Sequence, residues 1–131
     1  MTRPTNIHLR RSDAELLERL VESSGFGRDG SSLALLDEEL ARATIVADDE
    51  LPSDSVALDS RVRFQDLLSD EEREVTLVLP SKVASDKGLI SVLSPVGSAL
   101  IGLRVGDDID WPMPGGQMRR LRVLAVSDAR A

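Results

Sequence analysis

The stretch LISVLSPVGSALIG (residues 89–102) predicts a short strand that passes directly into a short helix. Its beginning, Leu89 to Leu93, is mainly apolar and typical of a strand. Ser94 is a favourable N-cap and Pro95 suits the first helical turn, so we expect a helix from there through Leu100. Gly102 then ends that helix, because glycine readily takes the conformation that follows a helix.

Strand-like patterns lie on both sides of this segment. The run at residues 75–79 is almost continuously apolar, which predicts a central strand. Elsewhere apolar and polar residues alternate, as in a half-buried strand: Val62 and Phe64; Ile109, Trp111 and Met113; and Leu121, Val123 and Ala125. The sequence therefore predicts an antiparallel-sheet domain with one short helix over residues 54–131.

The register of the last two strands follows from their charges. A two-residue turn at Gly115 and Gly116 would place Trp111 opposite Arg120 and mix apolar with charged residues. A three-residue loop instead pairs Ile109 with Leu121, and it pairs Asp110 with Arg120 and Asp108 with Arg122. We predict the second register because it separates the two faces and joins opposite charges.

The N-terminal third has a helical pattern. After a short extended segment from Thr5 to Leu9, Ser12 and Glu15 match a capping box that starts a helix. Its apolar stripe is formed by Leu16, Leu17, Leu20 and Val21. The glycine-rich loop SGFGRDG (residues 24–30) ends the helix near Ser24.

A second helix is expected to start at Ser31 or Ser32. Its apolar seam has alternating steps of three and four residues: Leu33, Leu36, Leu40, Ala43 and Ala47. Two such helices bury their stripes most simply as an antiparallel hairpin over residues 1–50, with Arg28 and Asp29 at its tip. The acidic, proline-containing segment 48–54 is interpreted as an interdomain linker.

Composition narrows the classes of function. The chain has 131 residues, a formal net charge of −7 and no cysteine, which fits one or two small domains in a reducing cytosol. Aromatic residues make up only 2%, so an aliphatic core is expected. An acidic protein gains little from phosphate contacts, so strong independent nucleic-acid binding is not expected. We found no apolar run of about 20 residues and no signal-peptide core, and therefore expect a cytoplasmic protein without a membrane anchor.

The candidate chemical motifs all have simpler interpretations. His8 is the only histidine and lies in no Gly-x-Ser-x-Gly context, so we expect no catalytic triad and no zinc site. The acidic clusters at 48–50, 70–72 and 107–108 lack metal-loop spacing and are interpreted as solvated turns. The glycines fit no phosphate-loop frame, and Arg120 and Arg122 have acidic partners in the register above. We therefore expect no catalytic residue, no cofactor and no metal.

Three stretches resemble a known family. Residues 90–102 (ISVLSPVGSALIG), called the strand–helix signature below, resemble a segment of the Gre-factor C-terminal domain. VGDD (105–108) and PGG (114–116) follow at matching intervals. MTRP (1–4), DSRVRF (59–64) and GLRVGD (102–107) are similar to the branch called regulator of nucleoside diphosphate kinase. The resemblance covers nearly the whole chain.

This resemblance implies a fold and a partner. The C-terminal domain would be FKBP-like and dock on bacterial RNA polymerase at the rim of the secondary channel, with the hairpin pointing into the channel. Ser94, Pro95 and Val96 match the polymerase-docking segment. The resemblance implies a regulator that is not an enzyme, and its branch name implies an indirect effect on nucleoside diphosphate kinase.

Two departures from the family argue against transcript cleavage. Gre hairpins are markedly longer than helices of roughly 12–16 residues, which span about 18–24 Å. Cleavage factors also carry an acidic pair at the tip, whereas the loop here has only Asp29. Two alternatives remain: a peptidyl-prolyl isomerase, which would need an aromatic pocket, and a protein-interaction module without polymerase affinity.

Overall fold

The protein has an α+β fold in a computed structural model that describes residues 7–23, 38–84, 87–112 and 116–128. The N-terminal part contains β1 (His8–Arg10), α1 (Arg11–Ser23), the helical residues 38–42 (α2), β2 (Thr44–Val46) and a 3-10 turn (Asp48–Glu50). The C-terminal part contains the following elements: β3 (Ser60–Asp66), β4 (Glu72–Val78), a 3-10 turn (Pro80–Lys82), β5 (Leu89–Ser91), α3 (Pro95–Leu100), β6 (Asp108–Pro112) and β7 (Met118–Asp128).

Five strands form the main sheet in the order β5-β4-β3-β7-β6. In β3, the buried Val62 and Phe64 alternate with the exposed Arg61 and Arg63, so one face covers the core and the other faces water. β4 lies between two neighbours and buries Thr76, Leu77 and Val78, as the apolar run there predicted.

The expectation of a purely antiparallel sheet was wrong at one pair. β4 and β5 run parallel, and Thr76 is paired with Leu89. The connection between them is not a tight hairpin turn but a longer segment that contains the 3-10 turn at Pro80–Lys82, as a parallel pair requires. β5 also ends at Ser91 rather than Leu93, because the chain turns there toward α3.

The predicted register of the last hairpin is confirmed. Ile109 pairs with Leu121, Asp110 with Arg120 and Asp108 with Arg122. Ile109 and Leu121 are buried, and the two acid–arginine pairs form ion pairs of 2.9 and 2.6 Å. Separation of the apolar and charged faces therefore sufficed to set this register.

The second helix ends earlier than its apolar seam predicted. Helical structure stops at residue 42, and Thr44–Val46 pairs in parallel with His8–Arg10. Ala43 and Ala47 therefore lie outside the helix. The physical reason is the run of three β-branched residues from 44 to 46, which favours a strand. The start of this helix, Leu33 and Leu36 lie outside the described residues.

Helix α1 has the predicted apolar stripe but a different cap. Leu17 and Val21 are buried, and the helix ends at Ser23, near the predicted Ser24. It begins at Arg11, so the assignment of Ser12 as the N-cap was wrong. The backbone amide of Ser12 instead donates to Oδ1 of Asp48 at 3.1 Å, so a carboxylate 36 residues away caps the helix.

One apolar core joins the two parts of the chain. Ile7, Leu9 and Leu17 from the N-terminal part belong to the same buried cluster as Val56 and Leu103. The cluster is mainly aliphatic, as the composition predicted, and its aromatic members are Phe64 and Trp111. β1 and α1 are therefore packed on the sheet domain through shared side chains.

Candidate functional site

The candidate site begins where β5 turns into α3. The hydroxyl of Ser94 accepts a hydrogen bond from the amide of Gly97 at 3.1 Å, so Ser94 is the N-cap as predicted. The same hydroxyl donates to the carbonyl of Ser91 at 2.7 Å. Pro95 occupies the first helical turn, where a missing backbone donor costs nothing. The turn that presents residues 94–96 is thus fixed from both sides.

The second half of the strand–helix signature is buried. Gly97, Ser98, Ala99 and Leu100 are all below the surface, and Ser98 donates to the carbonyl of Val92 at 3.2 Å. A Cβ atom at Gly97 would lie 2.3 Å from the carbonyl oxygen of Ser91. Packing of α3 against the preceding turn therefore requires glycine at this position.

Gly102 follows the end of α3 and also contacts the residues that lead into β1. Its φ of +84° is in the left-handed region, which confirms the predicted helix end. A Cβ atom there would lie 2.7 Å from Cβ of Ile7. The absence of a side chain lets β1 pack directly on the end of α3.

In contrast to the buried half, Pro95 and Val96 are only half-buried. Val96 lines a cleft of about 220 Å³ together with the apolar Phe64 and Leu121. The polar residues of the cleft are Asp66, Glu71, Arg73 and Arg119. A guanidinium nitrogen of Arg119 lies 3.0 Å from Oδ2 of Asp66. The cleft is suited to bind an apolar side chain that has polar neighbours.

Two exposed apolar residues flank this cleft in the chain, and sequence reasoning missed both. Leu68 is 67% exposed and Met118 is 55% exposed. They are the neighbours of the Asp66–Arg119 pair: Leu68 follows Asp66 in the turn after β3, and Met118 is the first residue of β7. The amide of Leu67 donates to the carbonyl of Arg120 at 2.8 Å, which holds the turn beside β7. The only signal was a pair of adjacent leucines, Leu67 and Leu68, in a turn whose next residues are polar.

The arginines of β7 are paired with carboxylates. Arg120 contacts Asp110 and Arg122 contacts Asp108, as the register predicted, and Arg119 contacts Asp66. The hydrogen bond from Arg122 holds the pKa of Asp108 below its ordinary value, and it raises the pKa of Arg122. Arg120 and Arg122 lie on one face of β7 and form an ion-paired surface with Asp110 and Asp108 rather than a cluster of free cations, whereas Arg119 is paired on the other face.

The remaining residues considered from the sequence are His8, the acidic clusters and the predicted hairpin tip. His8 is half-buried in β1 opposite Thr44. Within the described ranges, no group of His, Asp and Glu residues has the arrangement of a metal site, and no helix there is long and apolar enough to cross a bilayer. Arg28 and Asp29, predicted at the hairpin tip, lie outside the described residues.

A larger cavity lies at the junction of the two parts of the chain. It has a volume of about 440 Å³ and is lined by residues that include Arg10, Asp48, Ser55 and Leu58. The hydroxyl of Ser55 is buried and has no hydrogen-bond partner among the described residues. Hydrogen bonds from the hydroxyl and amide of Ser12 hold the pKa of Asp48 below its ordinary value.

Comparison with known proteins identifies the class of this fold. The family model for the C-terminal part of the transcription elongation factors GreA/GreB matches residues 51–128, which include the whole strand–helix signature. GreA from Chloroherpeton thalassium is 38% identical over 89 residues, 68% of this chain and 56% of that protein. The main sheet and α3 thus form a GreA/GreB-type C-terminal domain.

The N-terminal part narrows the assignment. The model described as Rnk N-terminus matches residues 5–46. "Regulator of nucleoside diphosphate kinase" from Escherichia coli K12 is 43% identical over 127 residues, 96% of this chain and 91% of that protein. A solved GreA/GreB elongation factor from Nitrosomonas europaea is also 43% identical, with a TM-score of 0.74 over 95% of this chain and 99% of that one. The chain belongs to the GreA/GreB family, in the branch of regulators of nucleoside diphosphate kinase.

Proposed function

We propose that this protein is an RNA-polymerase-binding transcription regulator of the secondary-channel type. Its C-terminal domain (54–131) docks on the channel rim, and its N-terminal hairpin (1–50) enters the channel without stimulating transcript cleavage. It acts by binding rather than by catalysis, in the bacterial cytoplasm where the polymerase is found. Family membership supports a role in transcription, and the site geometry supports the docking surface.

The observation that carries the proposal is a difference in burial within the strand–helix signature. Residues 97–101 are buried, and their small or apolar character follows from packing. Pro95 and Val96 remain partly accessible beside the cleft. Proline is also favoured in a first helical turn, and that role leaves its partly accessible ring available for a partner contact.

The chemistry of the cleft indicates what it binds. Val96, Phe64 and Leu121 offer apolar surface, and the Asp66–Arg119 pair offers a donor and an acceptor beside it. Leu68, in the turn after Asp66, offers a further exposed apolar side chain. Apolar surface with a polar rim is typical of a protein–protein contact, so we expect a folded protein element of the polymerase rather than nucleic acid to bind here.

A competition assay with core polymerase tests docking. Pro95→Ala is expected to keep the fold and to weaken competition with a cleavage factor by about tenfold, as for loss of a central contact residue. Pro80→Ala is the matched control, because Pro80 also lies in the first turn of a short helical segment and is exposed, but it is outside the strand–helix signature. Wild-type protein that fails to bind polymerase at micromolar concentration and low salt would refute the proposal.

A second variant tests the turn after β3 independently of the docking segment at residues 94–96. Leu68→Gln removes an exposed apolar side chain that the fold does not need, so stability should stay within about 0.5 kcal/mol. We expect weaker competition without a change in the unfolding midpoint. If Pro95→Ala and Leu68→Gln both compete like wild type, the docking surface lies elsewhere on the domain.

The link to nucleoside diphosphate kinase is proposed to be indirect. The name of the Escherichia coli relative refers to that kinase, and a polymerase-binding regulator can change the amount of an enzyme through transcription. Purified kinase activity should therefore not change when the protein is added. A direct change in its rate would show a second partner.

Peptidyl-prolyl isomerase activity is not favoured by the structure. Trp111 is 0% exposed, and Phe64 is the single aromatic residue among those that line the cleft beside Val96, so that cleft is not an aromatic-lined pocket. A proline-peptide assay should show no catalysis above background. An interaction module without polymerase affinity is excluded or supported by the same competition assay.

A further inference from the structure

Two charged residues at the start of the N-terminal part hold the backbone of one residue of the C-terminal part on both sides of its Cα. The amide of Leu58 donates to Oδ2 of Asp13 at 3.1 Å. The carbonyl of Leu58 accepts from Nη2 of Arg10 at 3.1 Å. Arg10 and Asp13 also bind each other through two hydrogen bonds of 3.0 and 3.1 Å. We call this arrangement the Leu58 clamp.

The Leu58 clamp is buried. The side chain of Asp13 is 4% exposed and that of Arg10 is 16% exposed. Removing two charges from water is costly, and only several well-placed hydrogen bonds offset that cost. In some proteins such a buried pair contributes specificity of geometry rather than net stability. Because both ends of one residue are bound, few placements of α1 relative to Leu58 satisfy every partner.

A second junction lies at the end of α3. The amide of His8 donates to the carbonyl of Gly102 at 3.3 Å, and the amide of Gly102 donates to the carbonyl of Val56 at 2.9 Å. Ile7 packs against the Cα of Gly102, where no side chain fits. The six-residue helix α3 thus contacts β1 at one end and presents Ser94, Pro95 and Val96 at its other end.

We propose that Asp13 and Arg10 are positioning residues that fix the direction of α1 relative to the docking segment of α3. The clamp orients α1 as it leaves β1, and the Gly102 junction places β1 on the domain that carries the docking segment. When the protein docks on polymerase, a fixed direction means that nearly all molecules already present the N-terminal helices toward the channel. Only this last consequence rests on the proposed function.

A distance measurement on the free protein tests the proposal. The chain has no cysteine, so spin labels can be attached at Glu22→Cys and Glu74→Cys, two exposed positions on α1 and β4. The parent protein should give one narrow distance distribution. Asp13→Asn should broaden it or add a second distance, because it removes the charge that holds Arg10. Glu15→Gln is the matched control: it makes the same change at an exposed position of the same helix, and should leave the distribution unchanged.

A folded Asp13→Asn protein with the parent distribution would overturn the proposal. If Asp13→Asn does not fold, Arg10→Lys replaces it, since lysine keeps the charge but cannot bind both Asp13 oxygens and the Leu58 carbonyl in one plane. An unchanged distribution in that variant would overturn the proposal equally.

The effect at polymerase is measured separately. If the wild type competes with a cleavage factor, Asp13→Asn should compete about tenfold more weakly, because only the fraction with the correct direction binds fully. Equal competition by the two proteins, with a broadened distribution, would refute the functional consequence. Because the distances are measured without polymerase, failure of docking and failure of the clamp give different results.

Discussion

Asp13 in α1 accepts a hydrogen bond from the backbone amide of Leu58, which lies 45 residues further along the chain, and both groups are buried. Asp13→Ala would leave that amide and the guanidinium of Arg10 without their buried acceptor. We expect a loss of about 3 kcal/mol in the free energy of unfolding. Urea denaturation gives this value, with the exposed Glu15→Ala as a control expected to change stability by less than about 0.5 kcal/mol. Equal stability of the two variants would contradict the prediction.

Gly97→Ala is expected to destabilise the protein although alanine favours helices by about 1 kcal/mol. The new Cβ would lie 2.3 Å from the carbonyl oxygen of Ser91 and 2.9 Å from Cα of Val92, and these backbone atoms cannot move cheaply. Overpacking of this kind costs about 1–3 kcal/mol or more, so we expect a net loss of roughly 2 kcal/mol. Gly106→Ala is a comparison variant in which a steric clash is absent. Gly106 has φ +93° but no atom within 4 Å of an added Cβ, so any loss of stability there comes from backbone conformation alone. A Gly97→Ala protein as stable as wild type would show that the turn before α3 can shift.

Replacement by alanine is expected to change the free energy of unfolding in opposite directions at Ser55 and at Ser60. Both are buried, but Oγ of Ser55 has no hydrogen-bond partner among the described residues, whereas Oγ of Ser60 accepts from the amide of Ala57 at 2.9 Å. Ser55→Ala removes an unsatisfied polar atom and should raise the free energy of unfolding by about 1 kcal/mol. Ser60→Ala should lower it by about 1 kcal/mol. Thermal and urea unfolding measure both; destabilisation by Ser55→Ala would mean that its hydroxyl has a partner such as water.

The lowered pKa of Asp108 is expected to make the stability of the fold depend on pH. Its pKa is lowered below the ordinary value of 3.8, mainly by the hydrogen bond from Arg122. A carboxyl group with a lowered pKa in the folded state stabilises the fold above its unfolded-state pKa. This contribution is lost as the pH falls through the folded-state pKa. Asp108→Asn should therefore reduce stability at pH 6 by a small amount and less at pH 3. A loss that is equal at both pH values would show that charge at this position does not matter.

Patterns that are local in the sequence predicted their parts of the fold well. The Ser94 cap and the Gly102 helix end depend on neighbours within a few residues. The β6–β7 register depends on residues facing each other across one short loop, and only one pairing kept Ile109 with Leu121. Such features could be inferred because the interacting groups are near each other in the chain.

Features that depend on distant residues were missed. Ser12 looked like a cap because a glutamate follows three residues later, but Asp48 supplies the acceptor. Nothing in the local sequence distinguishes Asp13 from other acidic residues in a first helical turn, because its buried contact with Leu58 exists only after folding. Of the candidate site, the turn at residues 94–96 was predictable, whereas the cleft beside Val96 needs the positions of three strands and a helix.

The final prediction is that the protein binds polymerase but does not stimulate cleavage of backtracked RNA. Cleavage of this type is promoted by a second metal ion, which stabilises the attacking and leaving oxygens together with the first. Magnesium is usually held by one or two carboxylates plus waters and substrate oxygens. The loop at residues 24–30 contains one acidic residue, Asp29, and α1 has 13 residues, a length of about 20 Å at 1.5 Å per residue.

The measurement uses halted elongation complexes with a cleavage factor as positive control. Wild type and Asp29→Ala should both leave the RNA intact, and both should reduce cleavage by the added factor, because competition depends on the docking domain. Rapid cleavage by wild type that disappears in Asp29→Ala would show that a single carboxylate reaches the active centre and suffices there. If neither protein cleaves but Pro95→Ala also stops competing, the tip and the docking segment have separate roles, with binding at residues 94–96 and no metal chemistry in the loop.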